Sequence, residues 1–97
     1  MEEVLLELGE DQKGKFYLMQ DDTEMGRMEF GIQDNLLTVY HTEVSPEFEG
    51  RGLAKILLQG MVSYARAQHL KVKPLCPYVL ARFKRQEEEF ADIWEKG

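Results

Sequence analysis

Three short stretches of this chain combine residue types and spacing that suit chemistry. The first is Gly50-Arg51-Gly52, set directly ahead of a long amphipathic run. Glycine permits positive φ and close approach of a ligand to the backbone. The first amides of a helix lack intrahelical partners and carry partial positive charge. No Ser, Thr, Asp or Asn stands immediately ahead of this run to cap them. An anion, above all a phosphate, suits amides near residues 50–54, and Arg51 and Lys55 add positive charge in an otherwise acidic protein. Water, Glu47 or Glu49 would satisfy the same amides in a turn that holds no ligand. The second stretch is His41-Thr42-Glu43 on an extended, β-branched run. Residues two apart share a strand face, so a side chain whose ordinary pKa is about 6.5 sits beside a carboxylate, and either can accept a proton. A structural histidine and a solvated carboxylate are the plain alternatives. The third is Cys76-Pro77-Tyr78. Pro77 suits the first position of a helix, and a helix start favours the thiolate of a cysteine placed there. A buried cysteine acting as a small hydrophobe is the competing reading.

These groups must be held by a framework, and the hydrophobic pattern supplies one. "EEVLLEL" reads as an edge strand or a loose extension, and "KFYLMQ" as a strand. "DDTE" makes a turn. In "MGRMEFGIQ" the set Gly26, Met28, Phe30 and Ile32 forms the core face, against Met25, Arg27, Glu29 and Gly31. "QDN" is a hairpin turn in which Asp34 and Asn35 tolerate left-handed geometry, and "LLTVYHTEV" is a long strand. From Gly52 to His69 the period changes. Lys55, Gln59, Ser63 and Arg66 form an outward stripe; Leu53, Ala54, Leu57, Leu58, Met61, Val62 and Ala65 face inward, and Gly60 marks close packing against the sheet. "KVKPL" is a short strand that Pro74 confines to an edge. "PYVLARFKRQEEEF" is one helix whose charge run is a solvated face, with Lys84 and Glu88 paired at i,i+4; Trp94 closes the core. Strand, crossover helix, strand requires a parallel pairing. The expected fold is α+β: an antiparallel meander extended by one parallel strand through a crossover helix, in one compact domain over residues 1–97.

Composition bounds the partners. The chain has 97 residues, 43% hydrophobic, with 12 Lys and Arg against 18 Asp and Glu and a net charge of -6. That argues against nucleic acid and is compatible with a cationic amine substrate. A single cysteine excludes an internal disulfide and a cysteine-rich zinc site, and no metal is expected. The acidic N-terminus is not a signal peptide, and no apolar run approaches the ~20 residues of a membrane helix. The expectation is a cytoplasmic protein with no membrane partner.

The motifs together carry a family resemblance. "EFEGRG", Glu47 to Gly52, resembles the acetyl-CoA loop of the GNAT (GCN5-related) N-acetyltransferase superfamily: Gln or Arg, two free positions, Gly, one free position, then Gly or Ala, set between a long strand and a long helix. Glu47 occupies the Gln/Arg position. With "HTEV" ahead of it and "CPYV" after the helix, the chain resembles the small single-domain GNAT-like acetyltransferases over about residues 14–94. It departs at Phe83-Lys84-Arg85-Gln86-Glu87, where those relatives often read Tyr, Arg, a free residue, His-Pro-Glu.

The resemblance implies acetyl-CoA as cofactor and an N-acetyltransferase activity. Amides of Glu49, Gly50, Arg51, Gly52, Leu53 and Ala54 would hold the pyrophosphate. The strand from Thr42 to Ser45 would part from the strand at Val72 to Leu75, and the pantetheine arm would pair there with the main chain of Glu43 and Val44 like an added strand. Lys84 and Arg85 would meet the ribose phosphate, and Tyr78 and Phe83 would pack on the arm or belong to the core. Glu43 or His41 would take the amine proton. Cys76 would carry the acetyl group covalently, or the amine would attack acetyl-CoA directly while Cys76 or Tyr78 supports the departing sulfur. The acceptor is a primary amine on a small molecule or a protein lysine, and the short chain points weakly to a peptide or protein. Two other readings remain open: a CoA-binding or acyl-CoA-binding module without turnover, and an interaction domain whose glycine turn holds no ligand.

Overall fold

The computed structural model describes residues 3–96. Five strands form one sheet in chain order: β1 (Leu5–Leu8), β2 (Lys13–Gln20), β3 (Thr23–Gln33), β4 (Leu36–Val44) and β5 (Lys71–Pro74). The first four are antiparallel and β5 runs parallel to β4, as the crossover requires. Helix α1 (Leu53–Ala67) makes the crossover; α2 (Pro77–Arg85) and α3 (Glu87–Phe90) follow β5. Asp34 and Asn35 both take positive φ, 52° and 64°, closing the β3–β4 hairpin. "EEVLLEL" contributes a true edge strand.

Helix α1 buries Leu53, Leu57, Leu58, Met61, Val62 and Ala65 against the sheet, while Ala54 is half-buried. The sheet answers with Phe16, Leu18, Met28, Phe30, Leu37 and Val39, and the rings of Phe16 and Phe30 stack at 4.6 Å. A Cβ on Gly60 would lie 2.8 Å from both methyls of Val4, so its close contact is with the residue ahead of β1 rather than with the body of the sheet.

Two β-bulges change which side chains face inward. Leu18 pairs with Gly26 and Met19 with Glu24, leaving Met25 as an extra residue. The alternation therefore slips, and Met25, expected on the solvent side, is buried at 1% exposure. In β4, Val39 pairs with Phe30 and His41 with Glu29, leaving Tyr40 as the extra residue. Before the slip Leu37 and Val39 point inward; after it His41 and Glu43 point outward while Thr42 and Val44 are half-buried on the core side.

The expected single C-terminal helix is two. Gln86 leaves helical geometry at φ -122°, ψ 51°, and its side-chain Oε1 accepts two bonds from the Arg82 guanidinium. The electrostatics favour this break. Arg82, Lys84 and Arg85 occupy the last turn of α2, where cations are stabilised. Glu87, Glu88 and Glu89 fall in the first turn of α3, where anions are. The break removes the i,i+4 relation between Lys84 and Glu88; among the described residues Glu87 pairs with Lys96 instead. Beyond α3, Trp94 forms a parallel bridge with Val72 and packs edge-on against Phe83. Among the described residues no helix is long and apolar enough to cross a membrane, and no group of three metal-ligating side chains occurs.

Candidate functional site

The glycine turn is built by the residues before it. Ser45 is extended, its amide bonds the Met25 carbonyl at 2.8 Å, and Pro46 then starts a single 3-10 turn over Pro46–Phe48. Phe48, 7% exposed, anchors this turn in the core. The chain next takes positive φ twice, 84° at Gly50 and 74° at Gly52, and Gly52 stands at the N-cap position just ahead of α1. No side chain caps the helix. Glu47 and Glu49, able in principle to do so, do not. The Glu49 amide is bonded to Pro46 O at 3.3 Å, which takes it out of the expected donor set. The amides of Gly50, Gly52, Leu53 and Ala54 meet no acceptor among the described residues. A Cβ on either glycine would meet nothing within 4 Å, so the space over the turn is open.

That space is a cavity of about 290 Å³ bounded by Val44, Phe48, Glu49, Gly50, Gly52, Leu53, Ala54, Lys55 and Tyr78. It reaches from the end of β4 across the start of α1 to the first turn of α2. Lys55 lies on its wall. Arg51 turns away: its guanidinium sits 5.6 Å over the Phe48 ring and Nη1 donates to Gln20 Oε1 at 3.3 Å.

Beside the cavity the sheet forks. The β4–β5 pairing ends at Val39 opposite Pro74. The amides of Leu75 and Cys76 both bond Val39 O, each at 3.0 Å, and the chain then turns into α2 while β4 runs on to Val44. Because Ser45 N–H points at β3 and antiparallel bonding alternates, the main-chain groups of Thr42 and Val44 project from the open edge. Those of Glu43 face β3; its carbonyl lies beside Gly26. Of the two residues whose main chain was expected at the gap, Val44 faces the open edge and Glu43 does not; Thr42 does.

The candidate side chains divide between the two faces of β4. On the inner side Cys76, 2% exposed, donates its Sγ–H to Thr42 Oγ1 at 3.3 Å. Cys76 stands at the N-cap position just ahead of α2, but its thiol makes no bond to the helix amides. Tyr78 is half-buried, and its hydroxyl accepts from Arg82 Nη1 at 3.2 Å. On the outer side His41 Nε2 donates to Glu43 Oε1 at 3.1 Å, with Arg27 Nε 3.8 Å from the same oxygen. This couple is a little over half exposed.

Phe83 does not line the site. It is fully buried, stacked at 4.7 Å on Phe90, and belongs to the core. Lys84 and Arg85 are exposed at the far end of α2, on a separate depression shared with Glu87, Glu88 and Glu89. Arg82, which the sequence did not single out, is nearer: it touches Tyr78 on the cavity wall. Its signal was only a spacing of four from Tyr78 on one helix. Another depression, about 440 Å³, lies on the outer face near the hairpin ends, lined by Asp11, Lys13, Gly31 and Tyr40 among others, and holds none of the candidates.

A parallel strand pair that forks beside an uncapped glycine turn defines a GNAT-type transferase fold. The family match agrees: residues 15–93 match the model of the GCN5-related N-acetyl-transferase family, and the chain belongs to that family. The chain is also similar to the solution NMR structure of a GCN5-like candidate N-acetyltransferase from Staphylococcus aureus, with 27% identity, a TM-score of 0.67, and 94% of this chain and 87% of that one covered. Two larger proteins share the fold over part of their length. The ribosomal-protein-S18-alanine N-acetyltransferase from Escherichia coli has a TM-score of 0.60 at 18% identity, covering 66% of this chain and 41% of that one. Nourseothricin acetyltransferase has a TM-score of 0.53 at 25% identity, covering 63% and 38%. No curated protein matches the chain.

Proposed function

We propose that this protein is an acetyl-CoA-dependent N-acetyltransferase that acts on a primary amine. The observation that carries the reading is the set of amides at Gly50, Gly52, Leu53 and Ala54 that meet no acceptor among the described residues, opening on a cavity beside the β4–β5 fork. The residues fit the cofactor: the positive-φ glycines leave room where a Cβ would stand, and the helix start supplies donors for a pyrophosphate. When bound, acetyl-CoA supplies an acetyl group activated as a thioester.

The chain's own groups divide the remaining work. The loop amides and Lys55 hold the phosphates. Thr42 and Val44 offer main-chain bonds to the pantetheine arm. On the outer face Glu43 fixes His41 with a hydrogen on Nε2, which leaves Nδ1 as the basic nitrogen to take the acceptor's proton. Because this couple lies outside the sheet, the acceptor amine approaches from the outer face while the cofactor enters from the helical side. The buried Cys76 Sγ–H, held by Thr42, suits support of the departing sulfur in direct transfer better than nucleophilic attack, since the proton-accepting pair stands on the opposite face. A protein or peptide amine and a small amine both suit an acceptor side this open.

Titration calorimetry with acetyl-CoA tests the cofactor: heat that saturates at micromolar cofactor is expected, and its absence removes the reading. One observation favours a second reading, a CoA-binding module without turnover: the candidates stand on two faces of β4 rather than around one point. Thiol release from acetyl-CoA across a panel of amines separates the two, since binding without release supports the module.

A further inference from the structure

A cysteine thiol carries a single hydrogen. In Cys76 that hydrogen is already committed, since Sγ–H donates to Thr42 Oγ1 at 3.3 Å. Cys76 is 2% exposed and its amide is tied to Val39 O, so the thiol has little freedom to turn elsewhere.

Thr42 is the other half of the pair. A hydroxyl accepts and donates at once. Its oxygen accepts from Cys76, and its own hydrogen meets no acceptor among the described residues. Thiol sulfur is a weak acceptor, so this hydrogen gains little by pointing back at Cys76. Thr42 lies beyond Val39, where β4 has left β5, and its half-buried side chain sits on the inner side of the strand. A β-branched side chain is stiff at χ1, and the bond from Cys76 fixes the oxygen further. The hydrogen that can be given at the fork is therefore that of Thr42, not that of Cys76.

We propose that the Thr42 hydroxyl donates a hydrogen bond to the thioester sulfur as the C–S bond breaks, and that Cys76 is a positioning residue acting through Thr42. The inference rests on the proposed function and assigns its sulfur support to a particular hydrogen. In the step, the amine nitrogen bonds the acetyl carbon, the electron pair of the C–S bond passes to sulfur, and the amine proton goes to His41 Nδ1. Thr42 keeps its proton, and the thiolate takes one from water on release. Charge reaches the sulfur only as the bond breaks, so the contact strengthens in the transition state and raises kcat rather than cofactor affinity. Accepting from Cys76 makes the Thr42 hydroxyl a better donor, since chained hydrogen bonds polarise one another. The faces agree: Thr42 and Cys76 stand on the helical side, from which the cofactor enters, and His41 stands on the side of the amine.

The test uses CoA isotope-labelled at the carbon beside its sulfur, whose NMR shift reports ionisation of the bound thiol. A donor to the thiolate favours the charged form. Thr42→Val, nearly the same shape without the hydroxyl, should raise the pKa of the bound CoA thiol by about one, a tenfold change in ionisation. Thr42→Ser should restore it. Cys76→Ala should act in the same direction more weakly, and should add nothing in the Thr42→Val background. Calorimetric affinity for CoA should stay near wild type in each variant, which also reports intact folding. With butylamine as acceptor, Thr42→Val should lower kcat about tenfold or more, the worth of a hydrogen bond to a charged group, with KM for acetyl-CoA kept. A thiol that titrates alike in wild type and Thr42→Val, or an unchanged kcat, overturns the Thr42 role and leaves the proposed function standing. Effects of Cys76→Ala and Thr42→Val that multiply in full overturn the claim that Cys76 acts through Thr42. Failure of wild type to bind CoA removes the inference and the proposed function together.

Discussion

Gly50 and Gly52 carry the backbone at φ 84° and 74° where an added side chain would meet nothing within 4 Å. A substitution there acts through backbone strain, about 1–2 kcal/mol for a left-handed residue, and through loss of ligand space. Gly52→Val is expected to weaken acetyl-CoA binding about 100-fold or more while the unfolding midpoint moves only modestly; unchanged affinity by calorimetry would show that the turn is not the cradle. Two further outcomes belong to single side chains. Glu43→Gln and His41→Ala should each lower kcat/KM by about 100-fold or more, the usual worth of a positioned base, with acetyl-CoA affinity kept. If both keep full rate, the base lies elsewhere. Cys76→Ala should lower the rate without abolishing it under direct transfer, since support of the departing sulfur is lost but no covalent step is; an acetylated Cys76 trapped by mass spectrometry would reverse that assignment.

Packing of whole elements is testable at Gly60. Alanine gains about 1 kcal/mol of helix propensity over glycine, but its Cβ would stand 2.8 Å from both methyls of the stiff Val4 side chain. Overpacking of that kind costs about 1–3 kcal/mol, so Gly60→Ala should lower stability by about 1 kcal/mol in denaturant unfolding. Adding Val4→Ala should recover the loss, and a lone Gly60→Ala that stabilises would show that β1 yields freely. The same elements show what could be read beforehand. Periodicity sufficed for α1 and the meander because their buried faces are long and regular. It placed His41 and Glu43 on one face of β4 but failed at Met25, because one inserted residue shifts the alternation and leaves no trace in composition. The single helix drawn through Gln86 failed because adjoining basic and acidic turns are better served by two helix ends than by one helix. The loop was legible through Gly50 and Gly52. The nearness of Arg82 to the site was not, since it is far from the loop in sequence and reaches the cavity only through its bond to Tyr78 on the wall.

At the scale of the molecule, the C-terminal segment ties α1 to β5. Arg66 bonds Asp92 and, at 2.8 Å, Glu89 O, while Lys71 Nζ bonds Asp92 O at 2.7 Å. The Arg66 hydrogen bond, reinforced by the charges of Arg66 and Lys71, holds the Asp92 carboxyl below its ordinary value of 3.8. A depressed carboxylate adds stability that is complete above the unfolded pKa and fades as pH falls through the folded one. Arg66, raised by the same bond, stays charged throughout. Because the pair is largely exposed, Asp92→Asn should cost only about 0.5 kcal/mol at pH 7. The difference between variant and wild type should close as pH drops below 3.8; a gap that persists in acid would assign the effect to shape rather than charge.

The doubly bonded carbonyl of Val39 has a further consequence. It pins the point where β4 and β5 separate, and the glycine turn marks the other end of the same stretch. Tyr40 to Val44 spans five residues, about 16 Å of extended chain at ~3.3 Å each. The molecule thus carries a built-in ruler. Under the proposed function, a thioester on a stem much shorter than this span can be gripped by its phosphates or present its carbonyl at the fork, but cannot do both at once.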